Sequence, residues 1–167
     1  MDSKYYQKYI DAAEKTGDPH SMVILAELYK AGAFGDSQYD EYIYWLKRFF
    51  ETDEVKGLCI QLENNYSQSE NSDETVPVSQ CNNINLVQQM TLRNDILEAG
   101  IALGIYYRNS SEKEELELSL QCLIAALDAS AWAYLDYTEE DGTKTDILCI
   151  LKKVADRMEA LGIKVGD

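Results

Sequence analysis

The sequence predicts a single all-α domain over residues 1–167, built from about six to eight helices. Three observations lead to this fold class. Apolar residues recur at intervals of three and four in almost every segment, which is typical of helices with one buried face. The only prolines are Pro19 and Pro77, so long helices meet few interruptions. Two stretches of the chain also match each other at a fixed offset, and no segment has the alternation of a convincing strand.

The two matching stretches lie 78 residues apart and align without a gap. Small residues fall on small residues, and apolar residues fall on apolar ones. The aligned pairs are Ser21 and Ala99, Leu25 and Leu103, Ala26 and Gly104, Tyr29 and Tyr107, Tyr42 and Leu120, Trp45 and Leu123, Leu46 and Ile124, and Phe49 and Leu127. Self-similarity at a fixed spacing indicates a helical-repeat protein. Such proteins usually present extended surfaces that bind other proteins.

The first half of the chain contains four predicted helices. The first ends at Gly17, a residue that readily adopts the left-handed conformation at a helix C-terminus. Asp18 and Pro19 then supply the N-cap and the first residue of the second helix. The four helices are predicted at residues 3–16, 19–30, 39–51 and 53–64.

The middle of the chain interrupts this pattern. Residues 64–83 are polar and poor in apolar side chains, so we predict a mobile, exposed loop there. Helical periodicity then returns, and acidic residues that follow Ser110 and Ser111 mark the first turn of another helix. A turn is predicted at 138–142. The predicted helices of this half cover residues 84–107, 112–127, 131–137 and about 143–161.

Residues 12–18, Ala-Ala-Glu-Lys-Thr-Gly-Asp, resemble the joint of a Sel-one-like repeat, a relative of the tetratricopeptide repeat. Arg48, Phe49 and Phe50 depart from the family pattern, which has paired alanines there. The matching positions are Ser21, Leu25, Ala26, Tyr29, Gly32 and Trp45, then Ala99, Leu103, Gly104 and Tyr107, and finally Ala125 and Ala126. The resemblance implies antiparallel helix pairs stacked as a short right-handed α/α superhelix. A plain helical bundle is the alternative.

The composition is strongly acidic. Thirty Asp and Glu residues against fifteen Lys and Arg give a net charge of −15, and eighteen of the acids fall in residues 51–141. Binding to nucleic-acid phosphates or to anionic lipid requires the opposite sign, so neither partner is expected. An acidic surface favours a basic protein partner. The alternative interpretation is that the charge only keeps the protein in solution.

The sequence does not predict a membrane or zinc-binding protein. No run of about 18 apolar residues occurs, and the polar start at residues 1–5 has no signal-peptide core behind it. We therefore expect a cytoplasmic protein with reduced thiols. The cysteines form no C-x-x-C pair and are widely spaced, at Cys59, Cys81, Cys122 and Cys149.

Enzymatic activity is not expected, and neither is a metal or a cofactor. The only histidine, His20, falls in the first turn of a predicted helix, where we expect a surface side chain. No flank typical of nucleophilic catalysis surrounds it. Acidic clusters such as 139–141 lie at predicted turns and lack the calcium-loop pattern. A metal-dependent hydrolase that uses these carboxylates is the alternative in the enzyme class.

The twelve tyrosines cannot all be buried, and exposed tyrosine is typical of protein interfaces. We expect a protein-binding module, specifically a dedicated inhibitor or immunity-type protein that neutralises a basic toxin or nuclease. A general scaffold that holds a short peptide is the alternative. The predicted partner-contacting residues are Asp40, Glu41 and Tyr42 in the first copy, and Glu112, Glu115, Asp136, Tyr137, Glu139 and Glu140 in the acidic half.

Overall fold

The computed structural model describes residues 4, 6–69, 86–130, 136–139 and 141–164. Within them the fold is all-α, with seven α-helices and one small β-hairpin, so the predicted fold class is confirmed. The chain divides into two compact units, Met1–Asp95 and Ile96–Asp167, which are described separately below. The single domain and the right-handed superhelix stay predictions.

The first unit begins with four helices that follow one another closely and also contains the start of the fifth. A π-helical segment continues the first of them up to Gly17. Asp18 caps the second helix as predicted, because its carboxylate accepts hydrogen bonds from the backbone N–H of Ser21 at 3.0 Å and from the Ser21 hydroxyl. The elements are α1 (Gln7–Asp11), the π-helical segment (Ala12–Thr16), α2 (Pro19–Ala31), α3 (Tyr39–Glu51) and α4 (Asp53–Ser69).

The core of the first unit lies between α2 and α3, and α4 packs against α3. Gly32 ends α2 with a φ of 81°, a left-handed conformation that favours glycine. This sharp stop allows the chain to return as α3 and to bury an apolar face against α2. The buried side chains of this core include Met22, Leu25, Ala26, Tyr42, Trp45, Leu46, Phe49, Val55 and Leu58.

Helix α4 ends later than the sequence predicts. It continues to Ser69, so the first part of the predicted polar loop, 64–69, is helical. Extending an existing helix costs far less than nucleating one, which is why polar residues without apolar periodicity can be added to its end. The rest of the predicted loop lies outside the described residues.

The second unit contains the only strands of the described chain, and the prediction of no strand is wrong here. Two three-residue strands pair antiparallel, with Tyr137 opposite Thr145. Strands this short cannot show a period of two in the sequence. The predicted turn at 138–142 is confirmed, since the Gly142 N–H donates to the Glu139 carbonyl oxygen at 2.9 Å. The elements are α5 (Leu86–Tyr107), within which the two units divide, α6 (Lys113–Ser130), β1 (Asp136–Thr138), β2 (Lys144–Asp146) and α7 (Ile147–Ala160).

The predicted helix at 131–137 is therefore not observed where the chain is described. Residues 136 and 137 belong to β1, and residues 131–135 lie outside the described residues. Helix α7 begins directly after β2, and Asp146 is its N-cap, with a carboxylate oxygen 2.8 Å from the backbone nitrogen of Cys149.

The core of the second unit joins α5, α6 and α7. Helices α5 and α6 approach closely at Gly100 and Gly104, where the glycines leave room for Cys122 and Leu123. The buried hydroxyl of Ser119 donates to the carbonyl oxygen of Gly104 at 2.8 Å. The central buried side chains are Ile101, Leu116, Leu123, Ala126, Ile147, Ile150, Val154 and Met158.

The matching helices α3 and α6 do not bury the same face. Leu46 is 1% exposed, whereas Ile124, which aligns with it, is 43% exposed. Conversely, Ala126 is buried although it aligns with the half-buried Arg48. The glycines of α5 draw α6 in through its small residues, so its buried face is rotated relative to that of α3. Helices α3 and α6 therefore match in sequence but bury different faces.

Candidate functional site

Arg108, at the end of α5, connects the two regions that hold most of the predicted acidic site residues. Its Nη2 lies 2.5 Å from Oε1 of Glu139, in the turn of the hairpin. The two side chains are only 21% and 11% exposed, so this ion pair is largely removed from water. Glu139 is thereby held beside the connection between α5 and α6, which contains the predicted site residue Glu112.

Ser110 organises the same connection. Its hydroxyl donates to Oε1 of Glu115 at 2.6 Å and accepts a hydrogen bond from the Glu112 backbone N–H at 3.0 Å. Arg157, on α7, donates from Nε to the Ser110 carbonyl oxygen at 3.0 Å and from Nη2 to the Ser111 hydroxyl at 3.2 Å. We refer to Arg108, Ser110, Glu115, Glu139 and Arg157 as the turn cluster.

The turn cluster gives the predicted acidic residues different roles. Glu112 is exposed at the surface, whereas Glu115 and Glu139 are partly buried and engaged in internal bonds. Asp136 and Tyr137 have their backbones in β1, but their side chains lie outside the described residues, as does all of Glu140. Among the predicted acids of this half with described side chains, only Glu112 is fully exposed.

Asp141, which belongs to the acidic cluster 139–141 but was not among the predicted partner-contacting residues, is a further exposed acid in the hairpin turn. Its Oδ1 accepts a hydrogen bond from the Thr143 backbone N–H at 2.9 Å. This bond lowers the pKa of the Asp141 carboxyl, and a bond from the Thr143 side chain and the charge of Arg108 lower the pKa further.

The Asp141 carboxyl is therefore expected to titrate below the ordinary value of 3.8. A depressed carboxyl pKa stabilises the fold above the unfolded value, and this contribution disappears as the pH falls through the folded value. Carboxyl-carbon NMR titration measures it directly. A folded pKa at or above that of an unfolded reference peptide would contradict the hydrogen bonds in the turn.

The predicted residues of the first unit are also separated by the structure. Asp40 is exposed, and Glu41 is half-buried. Tyr42 is only 3% exposed, and its ring lies 5.2 Å from that of Tyr39, with Nζ of Lys30 5.0 Å above it. The burial of Tyr42 does not support its predicted contact with a partner, because its position on α3 faces α2 and places the ring in the core.

Glu41 lies close enough to Tyr29 to affect its acidity. Burial raises the pKa of the Tyr29 phenol, and the negative charges of Glu41 and Glu14 raise the pKa further. Tyr29 is thus kept in its neutral form beside two carboxylates. Its ring also packs on Phe34, with the centroids 4.8 Å apart.

His20 makes a contact that the sequence did not predict. Its Nδ1 lies 2.7 Å from Oδ2 of the buried Asp95, on α5 within the first unit. The two residues are 75 positions apart, so no local pattern could have connected them. The expectation of a plain surface histidine is incomplete, because the exposed imidazole is also a partner of a buried carboxylate.

We expect His20→Ala to lower the free energy of unfolding of the first unit by about 1–3 kcal/mol, because Asp95 loses a hydrogen-bond partner in the interior. His20→Asn is the matched control, since its amide can place a donor near the position of Nδ1. Denaturant unfolding measures both variants. Equal stability of His20→Ala and the wild type would show that the contact contributes nothing.

Two features are absent from the described part of the chain. No three His, Cys, Asp or Glu side chains described here come together in a group that could hold a metal ion. No helix among the described residues has the length and apolar character needed to cross a membrane.

No family model, no curated protein and no solved structure matches this chain. The resemblance to Sel-one-like repeats therefore rests on the residues of the chain itself.

Proposed function

We propose that this protein is a non-enzymatic interaction module that binds a basic partner protein through the acidic surface of its second unit. The observation that carries the proposal is that both arginines of the turn cluster are engaged within the chain, whereas acidic side chains beside them are exposed. Arg108 pairs with Glu139, and Arg157 is held by Ser110 and Ser111. Lys113 makes only an exposed contact of 3.8 Å with Glu117, and Lys144 of β2 is exposed. The two arginines are held in place, while Glu112, Glu114 and Asp141 are exposed at the surface.

The exposed acids that would meet the partner are Glu112 and Glu114, at the start of α6, and Asp141, in the hairpin turn. Exposed charges of one sign accelerate the encounter with an oppositely charged protein and select its orientation. The net charge of −15 adds a long-range attraction for a basic partner. A dedicated inhibitor of a basic toxin or nuclease would use this surface to cover the positive groove of its target.

The Sel-one-like assignment and a cytoplasmic location belong to the same proposal. The assignment is supported by residues 12–18, by Tyr29 and by Gly32, which ends α2 in the conformation that a turn between repeat helices requires. Proteins built from such repeats bind other proteins on extended surfaces, which agrees with the proposed activity.

The experiment is affinity capture of the partner with the full chain, followed by binding measurements on a neutralised variant. Glu112→Gln, Glu114→Gln and Asp141→Asn together remove three exposed charges, and the asparagine can still accept the bond from Thr143. We expect the association rate with the captured partner to fall about tenfold at low salt.

The control variant removes the same number of charges from exposed positions of the first unit, through Asp36→Asn, Glu51→Gln and Glu63→Gln. It should change the association rate by less than about twofold, since these acids are not part of the proposed surface. If both variants change the association rate equally, the net charge of the whole protein, and not the acidic surface of the second unit, sets that rate. A captured partner with an acidic surface would contradict the proposal outright.

A further inference from the structure

Arg48, on the outward face of α3, contacts aromatic rings instead of the carboxylate that pairs with Arg108 in the turn cluster. Nη1 of Arg48 donates to the hydroxyl oxygen of Tyr44 at 2.9 Å. The guanidinium carbon lies 5.8 Å from the centroid of the Tyr44 ring and 5.7 Å from that of Trp45. Both distances fall within the range of cation–π attraction. Arg48 is therefore fixed by two aromatic neighbours on its own helix.

Unlike Arg108, Arg48 has N–H donors that no carboxylate of the described chain occupies. Within the part of the chain that the structure describes, Arg48 has no carboxylate at ion-pair distance. The exposed acids of the same helix, Asp40 and Glu51, do not pair with it. A guanidinium has five N–H donors in a rigid fork, and the hydrogen bond to Tyr44 uses one of them. The remaining donors suit a carboxylate from outside the chain.

The surroundings of Arg48 also suit a protein ligand. Tyr44 is 47% exposed, so a large aromatic surface lies beside the guanidinium. Tyrosine and arginine are among the side chains most often found at the energetic centres of interfaces, whereas Trp45 itself is buried. Because the rings already restrict the Arg48 side chain, binding costs less conformational entropy than it would for a free arginine.

We propose that the outward face of α3 is a docking surface for a segment of a partner protein that presents a carboxylate to Arg48 and an apolar side chain to the Tyr44 ring. The carboxylate pairs with the fork of the guanidinium in the bidentate manner. The proposal goes beyond the acidic surface of the second unit, because it concerns a ligand group of the opposite charge. It does not depend on that surface.

The test uses the full ¹⁵N-labelled chain and two capped tripeptides, Glu-Leu-Glu and Gln-Leu-Gln, as probes. The Nε–Hε resonance of Arg48, assigned through its loss in Arg48→Lys, reports on the guanidinium directly. We expect Glu-Leu-Glu to shift this resonance saturably, with a midpoint of about 1–10 mM. The neutral peptide should shift it by less than a third as much.

Two variants separate the docking surface from nonspecific attraction. Arg48→Lys keeps the charge but loses the fork, and the peptide-induced shifts of neighbouring backbone amides on α3 should shrink at least threefold. Lys47→Gln removes an exposed charge next to Arg48. In this variant, Glu-Leu-Glu should still shift the Arg48 resonance by most of the wild-type amount. The proposal is overturned if the two peptides shift the Arg48 resonance equally, or if neither shifts it at 20-fold above the expected midpoint. Neither result bears on the binding of a basic partner by the second unit.

Discussion

Replacing Gly100 by alanine is expected to destabilise the second unit by about 1–3 kcal/mol. Within a helix, alanine is normally more stable than glycine by about 1 kcal/mol. The expected change in stability at Gly100 therefore has the opposite sign from the usual one. A Cβ at position 100 would lie 2.5 Å from the carbonyl oxygen of Cys122 and 2.9 Å from Cβ of Ala126. Since the first of these atoms belongs to the backbone, α5 and α6 would have to separate.

Thermal unfolding should show a fall in Tm of roughly 4–8 °C per kcal/mol for a unit of this size. Gly104→Ala on the same helix is a second test of this contact. Its new Cβ would overlap Cγ of Leu123, a fully buried core residue, so it should also destabilise the unit. A Gly100→Ala variant as stable as the wild type would show that α5 and α6 are not in close contact at this position.

The second large effect is expected at the ion pair between Arg108 and Glu139. Removing one partner leaves the other charge largely buried and unpaired, which in a fully buried pair costs about 3–5 kcal/mol. Because these side chains keep 21% and 11% exposure, we expect about 2–3 kcal/mol for Arg108→Met or Glu139→Gln. The hairpin should lose its ordered contact with the connection between α5 and α6.

A double-mutant cycle distinguishes the ion pair from simple loss of packing. Arg108→Met combined with Glu139→Gln should cost clearly less than the sum of these two single changes, because no buried charge remains. The exposed pair of Lys113 and Glu117 is the control, and Lys113→Ala should change stability by less than about 0.5 kcal/mol. Additive effects at Arg108 and Glu139 would mean that the two side chains do not interact.

The helical fold was predictable because its signals are local. The cap at Asp18 and the stop at Gly17 depend on a few neighbouring residues, and both occur where they were expected. The hairpin was missed because strands of three residues carry no detectable period. The rotation of α6 was missed because it depends on the space that Gly100 leaves on another helix.

The candidate site was harder to predict than the fold. Charge and turn patterns pointed to Glu112 and Glu139, but only the fold shows that Arg108 neutralises Glu139. Tyr42 was chosen for its residue type, whereas its burial follows from which face of α3 meets α2. The contact of His20 with Asp95 joins distant positions, so composition and spacing hold no sign of it.

The most direct test of the proposed function is the salt dependence of the affinity for the captured partner. Screening shortens the reach of charge from about 10 Å at 0.1 M salt to about 3 Å at 1 M. We predict that affinity falls steeply over this range for the wild type. The fall should be shallower for the variant with Glu112→Gln, Glu114→Gln and Asp141→Asn. An affinity that is independent of salt and equal in the two proteins would contradict binding through the acidic surface.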